Sequence, residues 1–131
     1  MAESRGVERV REGFAAFERQ DVDTVREGFA EDIVWHHPGA NPLAGDYTGR
    51  DEVFGFLARV FQETGGTLRN DIHDIVGNDQ HVVALINLSG ERNGKKMDQK
   101  AANVFHVDDE GRVTERWLLV EDTPAFDDFW S

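Results

Sequence analysis

After Gly65-Gly66 the hydrophobic period of this chain changes and does not change back. Beyond that point four strand-like runs, 67–76, 81–88, 100–107 and 112–121, are separated by the turn chemistry of GND, ERNGKK and DDEG. Four consecutive strands joined by short turns predict an antiparallel meander. Before that point the apolar residues recur at helical spacing. Val7, Val10, Phe14 and Phe17 make one stripe of a first helix. DVDTVREGFAED reads as a short second helix capped by Asp21, with Val22, Val25 and Phe29 facing inward. Residues 32–37 shift to strand-forming types, and Pro38-Gly39 stops the run. A Pro/Gly-containing loop follows, then the capping-box form Thr48-Gly49-Arg50-Asp51 and a third helix with Val53, Phe54, Leu57, Val60 and Phe61 inward.

Helices at one end of the chain and strands at the other predict an α+β domain spanning residues 1–131. A curved antiparallel sheet would wrap the helices as a cone. The open end of such a cone is where a small ligand would sit, along the first strand and the loop after it. At 131 residues one domain suffices, burying about two thirds of its unfolded surface. The balance of 26 Asp plus Glu against 14 Lys plus Arg argues against a nucleic-acid partner. No cysteine is present, so thiolate chemistry and Cys-ligated zinc are excluded. With no apolar leader segment at the N-terminus and no apolar run longer than VVALI, the sequence predicts a cytoplasmic protein without a membrane partner.

FAEDIVWHHPG, PLAGDYTGRDEVFGFL and VFHVDDEGRVTERWLLVED together resemble the SnoaL-like proteins, within the superfamily of ketosteroid isomerase and nuclear transport factor two. The likeness runs from Val7 to Trp130 and implies a cystatin-like α+β roll, cofactor-free chemistry and a homodimer formed through the outer sheet face. It also implies roles. His37, ahead of Pro38-Gly39, takes the place of the isomerases' general base. Asn103 takes the place of the protonated Asp that donates a hydrogen bond to the developing enolate. The oxyanion-hole tyrosine would fall near Gly13 or Phe14, where no hydroxyl exists, and the chain's single tyrosine is Tyr47. SnoaL-like cyclases use an acidic residue soon after the Trp of the last strand, which makes Glu121 and Asp122 candidates.

Strand alternation sends His36 and His37 to opposite faces, so the pair cannot ligate one ion. His73 and His106 form no HxH or HxxxH spacing, and no metal is predicted. His37 is then either an acid/base group in an apolar pocket or a strand-end histidine bonded to backbone. Alternation groups Ala101, Asn103 and Phe105, and the Asn103 amide meets either a ligand carbonyl or a cross-strand backbone group. Trp35, Tyr47, Phe54, Phe105, Trp117 and Glu121 are the candidate ligand contacts. The aromatics read equally as core, and the acidic pair reads equally as a solvated strand end. Phe126, Phe129 and Trp130 at helical spacing predict a final helical turn lying over the cone or against a second subunit. The expected function is acid/base isomerisation or cyclisation of a small apolar carbonyl compound. A non-catalytic binding module of the same fold is the alternative, favoured by the missing tyrosine, and a protein interacting through the sheet face is a third.

Overall fold

The computed structural model describes residues 4–131. In order, the elements are α1 (Arg5–Glu18), α2 (Val22–Glu27), β1 (Phe29–His37), β2 (Gly45–Thr48), α3 (Arg50–Glu63), β3 (Arg69–Gly77), β4 (His81–Arg92), β5 (Lys95–Val107), β6 (Val113–Val120) and α4 (Thr123–Trp130). The strands form a six-stranded sheet in the order β2-β1-β6-β5-β4-β3.

The meander β3 to β6 is antiparallel throughout, as the turns predict. Its tightest turn is Asn93-Gly94, where φ values of 50° and 77° give the left-handed backbone that a two-residue hairpin needs and that Asn and Gly supply at least cost. β1 departs from the all-antiparallel expectation because it pairs parallel with β6, Trp35 opposite Arg116 and His36 opposite Trp117. A strand that reaches the far edge of a meander through intervening elements is free to enter in either direction, and here α3 and the long strands lie between β1 and β6. Register breaks between Ile72 and Asp74, and between His106 and Val107, accompany the sheet's curl.

The concave face carries the buried residues of each long strand: Val82, Ala84, Ile86 and Leu88 on β4, and Ala101, Asn103, Phe105 and Val107 on β5. α1 lies across that face. Ser4 caps it by accepting from the Val7 amide at 3.2 Å, and Gly6 lets it approach the β3–β4 turn so closely that a Cβ would sit 2.2 Å from the Asn78 carbonyl oxygen. In α2, Asp21 caps as predicted, whereas Val22 is exposed and Phe29 already belongs to β1.

Two local expectations around α3 are corrected. Part of the presumed loop is strand β2, whose Thr48 pairs with Val34; the cap of α3 is Gly49, with no side-chain cap hydrogen bond. The buried stripe is Val53, Phe56 and Val60 at i, i+3 and i+7. That rotation leaves Phe54 half-buried on the flank and Phe61 exposed.

α4 closes one end of the cone, beside the loop after β1, and its Phe126, Phe129 and Trp130 are essentially inaccessible to solvent within this chain. Pro124 stands in its first turn and Asp122 caps it. Its C-terminal carbonyls accept from Arg92 Nη1 and Lys95 Nζ, cations placed where the helix dipole favours them. Asp127 Oδ1 accepts from the Ala40 amide and Asn41 Nδ2, which ties α4 to the loop after β1.

A donor-rich chamber inside the cone

Between α1, α3, α4 and the concave sheet lies a chamber of about 120 Å³. Most of its wall is apolar. Besides Arg9, Glu12, Thr24 and Asn70, its polar lining is His37, Asn103 and Arg116, brought together by register: Phe105 and Trp35 stand opposite Arg116, and Asn103 opposite Leu118. A wider groove of about 610 Å³ runs beside the chamber between α1, α2, α3 and β3. Phe14, Phe17, Val25, Leu57, Val60 and Leu68 line both spaces, so these side chains are the partition between them.

His37 ends β1 with its ring among Phe56, Phe126 and Trp130, at centroid distances of 4.9, 5.1 and 5.9 Å. Neither ring nitrogen has a hydrogen-bond partner among the described residues. Burial, and secondarily the Arg116 charge, pull its pKa from 6.5 down to about 3, so the ring is neutral at pH 7.

Arg116 is 8% exposed. Its guanidinium stacks 4.5 Å from the Trp35 ring centroid, donates from Nε to Asn103 Oδ1 at 2.8 Å, and donates from Nη1 to the His36 carbonyl at 3.1 Å. Burial brings its pKa down from 12.5 to about 9, and at pH 7 it remains a cation. Arg116 can only donate, so its bond fixes the Asn103 amide with the oxygen toward the guanidinium and the NH₂ free for another acceptor. Trp35 Nε1 and Trp130 Nε1 are also buried without partners, and both residues line the chamber.

Of the candidate catalytic and ligand-contact residues, His37, Asn103, Trp35 and Phe105 meet at this chamber. The others do not. Trp117 lies on the convex face, because Arg116 takes the inward position of β6; it stacks on His36 at 5.1 Å and meets His106 edge-on at 4.8 Å. Tyr47 packs on Phe56, and its hydroxyl donates to the Leu43 carbonyl. Phe54 packs against Phe29 beneath the Arg26 guanidinium, outside the chamber wall. Asp122 is occupied capping α4, and Glu121 Oε1 accepts from the Lys100 amide; both are exposed, and neither lines the chamber.

His36 faces outward, as alternation predicts, between Asp46 and Glu115 at 2.6 Å each. Burial pulls its pKa down, but the hydrogen bonds to Glu115 and Asp46 outweigh that and raise it. Among the described residues no cluster of three or more His, Asp or Glu side chains is arranged to hold a metal ion.

Arg116 was missed by sequence reasoning. The signal that marks it is an arginine two residues before Leu118, in a strand whose inner positions are otherwise apolar. Such a residue is either turned outward or paired inside.

Residues 10–116 match the SnoaL-like domain. An uncharacterised protein of Mycobacterium tuberculosis is 33% identical, with the alignment covering 100% of both chains. The structure of Bal32a, from a soil-derived mobile gene cassette, superposes with a TM-score of 0.92 at 35% identity, covering 97% of each chain. An NTF2-like protein of unknown function from Burkholderia pseudomallei superposes with a TM-score of 0.85 at 25% identity, covering 98% of each.

Proposed function

The chain belongs to the SnoaL-like domain family, and from that premise we propose that it takes a small apolar carbonyl compound into the chamber and moves a proton next to the carbonyl without a cofactor, in an isomerisation or ring closure. The observation that carries this reading is His37, a neutral imidazole in the chamber wall with no partner at either nitrogen among the described residues. One nitrogen holds a lone pair that can accept a carbon-bound proton, and the apolar surroundings exclude competing water. The free NH₂ of Asn103 donates to the oxygen where charge develops, with Arg116 holding the amide in that orientation.

The test is exchange of the α-hydrogens of a small aryl ketone, such as 2-tetralone, for deuterium in heavy water, followed by NMR. Wild type accelerates the exchange, and His37→Ala loses about 10²-fold or more of that acceleration. Equal exchange by the two proteins removes His37 from the chemistry.

A second reading, a binding module that holds the same compound without turnover, is supported by two observations. A ring held down to about 3 is a weak base, and no tyrosine hydroxyl stands near Gly13 or Phe14, the single tyrosine, Tyr47, donating to the Leu43 carbonyl. Binding of 2-tetralone with no exchange selects this reading.

The homodimer expectation is likewise carried forward as a proposal. Cross-strand rows of Leu85, Ala102 and Leu119, and of Val83, Val104 and Trp117, make the convex face apolar, and Leu119 alone is 59% exposed.

A further inference from the structure

The unpaired groups around the chamber are unequal in kind. Arg116 donates from Nε and Nη1, and no hydrogen bond from its Nη2 is made within the described residues. The indole N–H groups of Trp35 and Trp130 can only donate. The orientation of Asn103 adds a further donor, its NH₂. Among the buried atoms without a partner there is one acceptor, the unprotonated nitrogen of His37; Glu12, Thr24 and Asn70 also line the chamber. Among the described residues no carboxylate lies within ion-pair distance of Arg116, and its polar partners are an amide oxygen and a backbone carbonyl.

An uncompensated cation inside an apolar wall is costly to keep. The chain does so although it carries a formal charge of -12 and has 26 carboxylates from which a partner could be drawn. A chamber of about 120 Å³ is near the size that holds one aromatic ring. What complements it is apolar in bulk and anionic at one end.

We propose that the ligand of this chamber is an apolar acid of about one ring, whose anionic oxygen is held by Arg116 while its carbonyl group lies against Asn103. The proposal rests on the chamber being the ligand site, and it narrows the carbonyl compound to a keto acid or an equally acidic 1,3-dicarbonyl. It also gives His37 a role that depends on occupancy. An anion beside Arg116 offsets the charge that disfavours the imidazolium, so the ring becomes a better proton acceptor once the acid is bound.

Calorimetric titration of the full chain with three probes of matched size tests it: benzoate, benzamide and acetophenone. Wild type binds benzoate about tenfold or more tighter than benzamide, the scale of one charge-assisted hydrogen bond. Arg116→Met removes that preference, leaving benzoate and benzamide bound alike. Equal affinity for benzoate and benzamide in wild type, or an unchanged preference in Arg116→Met, overturns the proposal. Acetophenone and benzamide binding with benzoate rejected overturns the anion while sparing the chamber; no binding of any probe overturns both.

Should Arg116→Met fail to fold, NMR of the wild-type His37 ring decides. Benzoate, and not benzamide, shifts its titration upward, and the absence of that shift overturns the proposal.

Discussion

At His37, Phe56, Phe126 and Trp130 surround a ring that in water would titrate near neutrality, and Arg116 adds its charge to the desolvation. The unfolded chain takes up this proton as pH falls through 6.5, while the folded chain resists until about 3. Between those values the unfolded state binds more protons, so His37 makes stability fall with falling pH, by about 1.4 kcal/mol per pH unit. His36 acts in another window. Its raised pKa contributes stability that is complete below 6.5 and is lost as pH rises through the folded value. Denaturant unfolding of wild type and His37→Leu across the acidic range will show a steeper acid loss in wild type; parallel profiles contradict the buried, neutral ring. Alternation alone separated the two histidines in the sequence, because successive side chains on a strand must part. Arg116 was hidden for a related reason. The parity of β6 is set by its partners β1 and β5, and a Trp beside an Arg invites the opposite assignment.

At the scale of elements, α4 decides whether the cone has a floor. Its three aromatics are buried within the chain, and Trp130 and Phe126 also form chamber wall beside His37. Trp130→Ala therefore costs about 3–5 kcal/mol in unfolding free energy and enlarges the chamber. A loss below about 1 kcal/mol, small even for an ordinary substitution, would mean that the floor collapses inward or was never packed. The sequence disclosed α4 through its proline and its aromatic spacing, and the four-strand meander through its turns. It concealed β2, whose four residues GDYT carry no alternating pattern and become strand only because β1 offers an edge. On α3, Val53 and Val60 face inward as read, but Phe56 takes the inward place given to Phe54 and Phe61, since the three lie within one helix and only packing selects among them.

The whole molecule presents two surfaces of opposite character, a donor-lined interior and an apolar convex face. The proposed homodimer covers the second. Leu119→Glu places a charge at its most exposed apolar position and will convert a dimeric wild type to a monomer in light scattering, without loss of fold; a wild type that is already monomeric contradicts the dimer. The family and the roll were legible because both rest on the order of elements and on motifs spread along the chain. The character of the interior was not, because it depends on which residues from distant strands face one another. The claim on which the rest depends is that the chamber is the ligand site. Amide and side-chain NMR during titration with acetophenone tests this most directly. Saturable shifts concentrated at His37, Asn103, Phe105, Arg116, Leu118 and Trp130 are expected; shifts confined to the convex face around Trp117 and Leu119, or none at all, would contradict a ligand site in the chamber.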